Sequence, residues 1–502
     1  MARPASIQTN WLDRLLGWFD PAAGLRRQQL RAAYEGAEKS RYRKARRDSG
    51  PNQPVQQAAA SLRAAARHLE RNHDIARGAL RTLVNNVVGA SGIGIEPQPR
   101  LPDGTVHTAY AAALREAWRD WCRCPEVSQR HHWTRLQRMA ARSWLRDGEV
   151  FAQQLMGPVA KLDHGSRVPY SLELFEADRV PLDYQDGASI QQGIETNGWG
   201  RPVGYWVYRQ HPLDHGSQAN ELRRISADRI LHLALFDRID QRRGVSEFAA
   251  ILTRLEDLKD YEESERIAAK VAAMLTAYVK RGTPDLYDPS QTARDEHGEP
   301  LPRDLRLAPG MIIDSLAAGE DISLIDSNRP NPNLVSWRQG QLRAVAAGLG
   351  ASYSSVSRDY NGTYSSQRQE LVEQWVHYAV LTDEFTGQFV QPVWQSFVQT
   401  AHLAGIVPMP PDLDPQRADD ALFVGQSMPW IDPMKEALAW ETLTRAGFAS
   451  ELEVIRKRGA QPMDVLEQLA SWRQLVKERG LVLSSAEGVT KPAPVVTGEA
   501  PE

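Results

Sequence analysis

The sequence predicts an α+β fold, mainly helical, and three observations carry that prediction. Between Ser246 and Arg281 no Gly or Pro occurs, and Phe248, Ile251, Leu252, Leu255, Leu258, Ile267, Val271, Met274 and Tyr278 recur at helical spacing. Upstream, the short runs Val150 to Leu155, Ser171 to Phe175, Ser189 to Glu195, Val203 to Tyr208 and Arg229 to Leu235 are bounded by Gly, Pro and Asp, as strands are. The whole is 502 residues long, 42% hydrophobic and 25% charged. That length suits about three domains or one elongated chain, and that composition excludes wholesale disorder.

Taken in order, residues 1–54 form a basic N-terminal arm. Arg26, Arg27, Arg31, Lys39, Arg41, Arg43, Lys44, Arg46 and Arg47 are interleaved with Tyr34 and Tyr42, a composition able to meet phosphates or an acidic partner. A solvated arm explains it equally well. Val55 to Leu83 reads as a helix with Leu62, Leu69, Ile75 and Leu80 on its apolar side. The glycines Gly89, Gly92 and Gly94 lack the spacing of a phosphate loop, so a turn into a strand at Ile95-Glu96-Pro97 is expected. A helical stretch from Thr108 to Arg146 carries Trp118, Trp121, Trp133 and Trp144 as core anchors. With the strand-like runs, residues 55–245 make one α+β region.

Downstream, 246–281 reads as one long helix whose middle is acidic: Glu256, Asp257, Asp260, Glu262, Glu263 and Glu265. Its bases come late, as the helix dipole favours, so a solvated face is the plain reading. Residues 282–330, rich in Pro, Gly and Asp, read as a strand-and-loop insert with apolar runs Met311 to Ile313 and Ile322 to Ile325. Asn331-Pro332 reads as a helix start, and Leu334, Arg338, Leu342, Val345 and Leu349 trace one face until Gly348 and Gly350. A hydroxyl-rich loop, 351–364, follows. Ser366 with Gln369 fits a capping box for a helix over 365–405, bent at Gly387 and Pro392. Residues 406–430 form a Pro-rich connection. Asp432-Pro433 caps a last helical region within 431–483, broken near Gly447 and Gly459, and 484–502 reads as a disordered tail.

Charge and motifs exclude several functions. Sixty Lys plus Arg against 63 Asp plus Glu give a net charge of −3, so nothing global holds a polyanion by counterion release. Two cysteines, Cys122 and Cys124, cannot build a disulfide framework. A metal there would need His131 and His132, and one buried and one bystander thiol is the simpler expectation. No apolar run is long enough to span a membrane, and Met1 to Asp20 lacks the layout of a signal peptide, so no export, membrane insertion or membrane partner is expected. There is no Gly-Lys of a phosphate loop, no G-x-S-x-G and no H-E-x-x-H. Asp383 and Glu384 are adjacent on a helix and point apart. The expectation is a chain that is not an enzyme and takes no cofactor.

Several stretches together resemble the lambda-type bacteriophage portal family, over about residues 20 to 480. They are Arg71-Asn72-His73, Val87-Val88-Gly89, Arg229 to Leu233, Arg242-Arg243-Gly244-Val245, Leu307 to Met311, Leu316 to Glu320, Asn328-Arg329-Pro330, Leu342 to Gly350, Asp359 to Arg368 and Trp430 to Glu436. The resemblance implies an elongated subunit of a ring, usually of twelve copies, at one capsid vertex of a virion assembled in the bacterial cytoplasm. It implies a channel for double-stranded DNA in packaging and ejection, docking the terminase large subunit, then the head-tail connector, with major capsid and scaffold proteins around it. By the same resemblance 55–245 with 365–405 is a wing, 246–281 and 331–350 a paired stem, 282–330 a clip, 351–364 a tunnel loop and 431–483 a crown.

Within that frame Ser357, Arg358 and Asn361 are the candidate DNA-channel contacts, unless they only satisfy the turn before the helix. Glu256, Glu262 and Glu263 are candidates for the lumen, or for a subunit interface with Arg338 and Arg343. A different class of reading is a non-viral helical adaptor that binds nucleic acid through residues 26–47.

Overall fold

The computed structural model describes residues 49–214, 221–273, 277–281, 320–324, 331–428 and 432–480. The chain divides into units 1–54 and 55–502, and the second holds the sheets and both hydrophobic cores. The basic cluster at 26–47, the run Met311 to Ile313 and the tail 484–502 lie outside the described residues.

The helix expected from Val55 to Leu83 is two helices, α1 (Asn52–Asn72) and α2 (Asp74–Val87). His73 makes the break. Its backbone is extended, its Nδ1 accepts the Ile75 N–H at 3.2 Å, and its Nε2 lies 3.1 Å from the Leu255 carbonyl. A capping imidazole and a distant partner outweigh the propensity of the flanking residues. Strand β1 (Gly94–Pro97) is followed by α3 (Thr108–Trp121) and α4 (Trp133–Asp147). Gly148 ends α4 in the left-handed region at φ 88°, and a Cβ there would stand 2.3 Å from the Val245 carbonyl carbon. Only glycine fits both conditions.

Strands β2 (Glu149–Met156), β3 (Tyr170–Glu176), β4 (Ile190–Gln191), β5 (Ile194–Thr196), β6 (Pro202–Tyr208), β7 (Leu222–Ser226) and β8 (Ile230–Ala234) form two antiparallel sheets, ordered β3-β2-β8 and β4-β5-β6-β7. Alternation along β2 decides which core each residue enters. Val150 and Ala152 face the main core, while Phe151 stacks on Phe175 at 5.6 Å in a second core with Val180, Ile194, Tyr205 and Val207. The main core is aromatic. Trp118, Trp121, Trp133 and Trp144 are all buried in it, and Trp121 donates its Nε1–H to the Tyr170 carbonyl at 2.8 Å. Each such side chain contributes about 1.5–3 kcal/mol by burial.

The long helix expected over 246–281 is shorter than its Gly- and Pro-free pattern implied. Helix α5 (Leu252–Ala273) gives way to strand β9 (Ala277–Arg281), which pairs antiparallel with β10 (Glu320–Leu324), Val279 opposite Ile322. Tyr278 and Val279 are strand formers, and a partner strand overrides a helical period that they also satisfy. Helix α6 (Leu334–Gly348) starts later than Asn331-Pro332 suggested. Asn333 is its cap residue, and Asn331 instead accepts the Asn333 N–H in a turn at 3.0 Å.

The expected loop 351–364 contains a short helix, α7 (Tyr353–Ser357), capped by Ser352. Helix α8 (Tyr364–Phe385) is capped by Thr363, whose hydroxyl accepts the Ser366 N–H at 3.3 Å, so Ser366 lies inside the helix that it was expected to open. A π turn over Thr386–Val390 leads into α9 (Gln391–Leu403). Pro392 has no N–H and would clash with the carbonyl of residue 388 in an unbroken α-helix, and the wider turn relieves both conflicts. Inside the Pro-rich connection, β11 (Ala421–Val424) pairs with β1. Helices α10 (Pro433–Arg445), capped by Asp432, α11 (Glu451–Lys457) and α12 (Pro462–Glu478) close the described chain. Gly447 and Gly459, both at positive φ, separate them. No helix among the described residues is long and apolar enough to cross a membrane.

Candidate functional site

Helices α5 and α6 run antiparallel, and their contacts read like the rungs of a ladder. Asn331 donates its N–H to Glu265 Oε1 at 3.0 Å, Tyr261 meets the Trp337 ring at 4.3 Å, Arg338 Nε donates to Glu262 Oε1 at 2.5 Å, and Arg254 Nη1 donates to Gln341 Oε1 at 2.6 Å. Of the acidic candidates, only Glu262 is therefore brought to a candidate arginine, and that arginine is Arg338 of the same chain. Glu256 and Glu263 are exposed and make no ion pair among the described residues. Arg343 is also exposed, and its guanidinium lies over the Tyr353 ring at 5.2 Å.

Beyond α6 the chain turns through α7 into α8, and a dense hydroxyl network builds the turn. Ser352 Oγ accepts the Ser355 N–H, Ser355 Oγ donates to Gln374 Oε1 at 3.0 Å, and Ser354 Oγ donates to Glu370 Oε2 at 2.7 Å. Ser357 spends its hydroxyl locally, donating to the Tyr353 carbonyl at 2.7 Å and accepting the Asp359 N–H at 3.1 Å. Asp359 accepts from the Asn361 N–H at 3.1 Å and the Tyr353 hydroxyl at 3.0 Å, and these bonds hold its carboxyl below the usual range.

Arg358 stands apart from this network. It occupies the left-handed region at φ 60°, its side chain is exposed, Nη2 donates to Thr82 Oγ1 on α2 at 3.1 Å, and Nη1 reaches the Tyr360 hydroxyl at 3.4 Å. No carboxylate pairs with it among the described residues. Its charge is felt inside: burial pushes the Tyr378 hydroxyl up to about 12, with Arg358 opposing. Asn361 keeps an exposed side chain beside a cleft of about 330 Å³, lined also by Arg343, Tyr353, Ser354, Asp359 and Glu370. The three loop candidates thus share one turn but differ in availability: Ser357 is engaged, while Arg358 and Asn361 face outward.

A second charged assembly fixes how the helix pair joins the sheets. Arg243 and Glu149 are both fully buried. The guanidinium donates to Glu149 Oε1 at 2.6 Å and to the carbonyls of Val180, Gln192 and Ala177. Glu149 also accepts from Arg63 Nη1 at 3.2 Å, from His232 Nε2 at 3.0 Å and from the Gly244 N–H at 3.0 Å. Burial alone would raise the Glu149 carboxyl, but the Arg243 guanidinium and His232 outweigh it and hold it well below the carboxylate range. Arg67 continues the network to Asp147 at 2.8 Å and Asp178 at 2.6 Å. The available signal was Arg242-Arg243-Gly244: a cation before a glycine that must let Gly148 pass, since a Cβ on Gly244 would lie 2.0 Å from the Gly148 oxygen.

Cys122 and Cys124 are unpaired thiols, and burial pushes the Cys122 thiol up. Among the described residues the group able to share an ion is Glu176, Asp178 and His211, well away in sequence from the cysteines. Its carboxylates are already held by Arg67.

The model of the family described as phage portal protein, lambda family, matches residues 38–381. The chain belongs to that family. Among similar proteins, the probable portal protein of Halomonas phage phiHAP-1 is 24% identical over 445 residues, covering 84% of this chain and 81% of that one. Portal protein B of Escherichia phage lambda is 22% identical, covering 72% and 73%. The portal protein of Escherichia phage N15 is 22% identical, covering 57% and 59%. Among solved structures, chains of a native gene transfer agent virion and of the neck of an empty gene transfer agent particle match with a TM-score of 0.43 each, at 13% and 12% identity, covering 81% of this chain and 94% of theirs.

Proposed function

We propose that this portal protein forms a ring at one capsid vertex, through which double-stranded DNA enters and leaves the head. The observation that carries the reading is the family match over residues 38–381, which spans both helices of the antiparallel pair and the turn that follows them. In this reading α5 and α6 are the stem and β9 and β10 belong to the clip, which docks the terminase large subunit and later the head-tail connector. Residues 55–245 with α8 and α9 are the wing, the turn 351–364 faces DNA, and α10 to α12 form the crown. Assembly with major capsid and scaffold proteins would take place in the host cytoplasm.

The charge arithmetic supports a conduit. DNA that must slide cannot be gripped by many cations, since each phosphate contact steepens the salt dependence of binding. A small number of outward groups repeated by symmetry meets that requirement, and Arg358 and Asn361 are such groups, with Ser357 shaping the turn that presents them. The acidic residues Glu256 and Glu263 leave the helix pair with an exposed anionic side.

Electron microscopy and light scattering of the purified full chain test the reading. Closed rings of uniform symmetry are expected, twelve copies being the family's usual number. A chain that stays monomeric at high concentration, even with scaffold protein present, overturns it, and tight salt-dependent DNA binding by such a monomer would favour an adaptor.

A further inference from the structure

Two exposed charged rows of opposite sign make no ion pair among the described residues. On α2, Arg77 and Arg81 are exposed one turn apart. On α5, Glu256 and Asp260 are exposed at the same four-residue spacing, with Asp257 and Glu263 beside them. Each four-residue step advances about 6 Å along a helix, so the rows match in pitch. Elsewhere many arginines of this region are closely satisfied: Arg63, Arg67, Arg146, Arg179 and Arg243 all sit on carboxylates.

Gly78 lies between the two arginines. It stands inside a helix, where glycine is disfavoured, and a Cβ there would meet nothing within 4 Å. No packing among the described residues explains it. A bare backbone between two arginines is what a closely approaching helix requires. The two rows lie on different helices of one chain. Helices α2 and α5 touch where His73 meets the Leu255 carbonyl, and both turn apolar residues, Ala76, Leu80 and Leu83 on one and Leu252 and Leu255 on the other, into the same core. Each charged row is thus left open on the outside of that core, where a neighbouring copy can reach it, and two different faces of one chain meeting in turn is a head-to-tail contact.

We propose that the Arg77–Gly78–Arg81 face of one subunit packs on the Glu256–Asp260 face of α5 in the next, forming a repeated ionic contact around the ring. The proposal rests on the ring reading above and names its interface. It also answers an electrostatic difficulty: free arginine rows multiplied around a channel would hold DNA, whereas rows neutralised by a neighbour would not.

The test uses two full-length variants, Arg77→Glu/Arg81→Glu and Glu256→Arg/Asp260→Arg, each checked for an unchanged melting temperature and then examined by electron microscopy and sedimentation. Each alone brings like charges together and is expected to lose rings by about tenfold or more, the worth of about 1.4 kcal/mol per contact. Mixed one to one, the reversed rows complement each other, and rings of alternating subunits are expected. Rings from either variant alone at the wild-type level would overturn the contact. So would a mixture that remains dissociated. If Arg77→Glu/Arg81→Glu assembles normally but packages less DNA, the row meets nucleic acid and the proposal falls. Wild-type chains without rings would count against the ring reading itself, which separates that failure from these.

Discussion

The charges around Glu149 and those around Arg358 are handled in opposite ways by one chain. At Glu149 the carboxylate is fully enclosed, its oxygens accept from two guanidiniums, an imidazole and a backbone N–H, and the Arg243 guanidinium also spends donors on three carbonyls. At Arg358 the surrounding hydroxyls are consumed by the turn, while the guanidinium reaches only Thr82 and Tyr360 among the described residues and stays in solvent. A buried pair whose every donor is used fixes where segments lie, here α1, β2, β8 and the entry to α5. An exposed cation on a rigid turn remains available. The difference separates residues that hold the subunit's shape from residues that can meet something outside it.

Breaking the buried assembly carries the largest expected effect. Replacing Arg243 by Met leaves Glu149 charged, enclosed and short of its main partner, and removing one member of a buried pair costs about 3–5 kcal/mol. Urea denaturation followed by circular dichroism would show the unfolding free energy lowered by about that amount, and Arg243→Lys would restore only part of it because ammonium cannot match the fork. The same assembly sets the acid response. The folded Glu149 carboxyl lies below its unfolded value, so its stabilisation is present above about pH 4.3 and is lost as the pH falls further. Burial lowers the His232 imidazole as well, so protonation of the unfolded chain from about pH 6.5 downward favours unfolding. Urea midpoints taken from pH 7 to pH 3 should therefore fall, and a Glu149→Gln variant should begin lower and decline less steeply below about pH 4.3.

How much of this was legible follows from how local each signal is. The tryptophan core, most strands of the two sheets, the Asp432 cap and the breaks at Gly447 and Gly459 are written in residues close together in the sequence, and the structure contains them. Strand β9 is different, because Tyr278 and Val279 satisfy a helical period and only a distant partner, Ile322 opposite Val279, decides for a strand. The short strand β7, rich in arginine, has no apolar alternation to announce it. The pairing of the buried charges was illegible for the same reason: Glu149 and Arg243 are 94 residues apart, and neither the run that follows Glu149 nor Arg242-Arg243-Gly244 shows which partner each one meets. Of the candidate site, the turn at 351–364 was legible as a polar, aromatic segment, but which of its groups stay free depended on distant acceptors such as Gln374 and Thr82.

A middle-sized effect sharpens the comparison at the turn itself. Because Thr363, and not Ser366, caps α8, Thr363→Ala should cost about 1 kcal/mol, the usual worth of a cap, while Thr363→Ser should cost much less. Ser366→Ala, inside the first turn, should stay within about 0.5 kcal/mol. Thermal melts of the three variants check the order. Equal losses at Thr363 and Ser366 would mean that the turn is held by the whole hydroxyl network and not by a single cap.

The smallest effect on stability belongs to Arg358, and there function and fold should part. Arg358→Ala removes an exposed hydrogen bond to Tyr360 and a half-buried one to Thr82, and leaves no charge buried, so the melting temperature should move only slightly. The left-handed backbone conformation at this position is uncommon for alanine, and an Arg358→Asn control, which tolerates that conformation better, separates backbone strain from loss of charge. If the guanidinium meets phosphates, both variants should assemble normally and package shorter genomes or release DNA prematurely, while Arg358→Lys should keep part of the activity. Normal genome length in all three would leave Arg358 as a residue of the turn alone, and the contrast with Glu149 would then be one of burial without consequence for DNA.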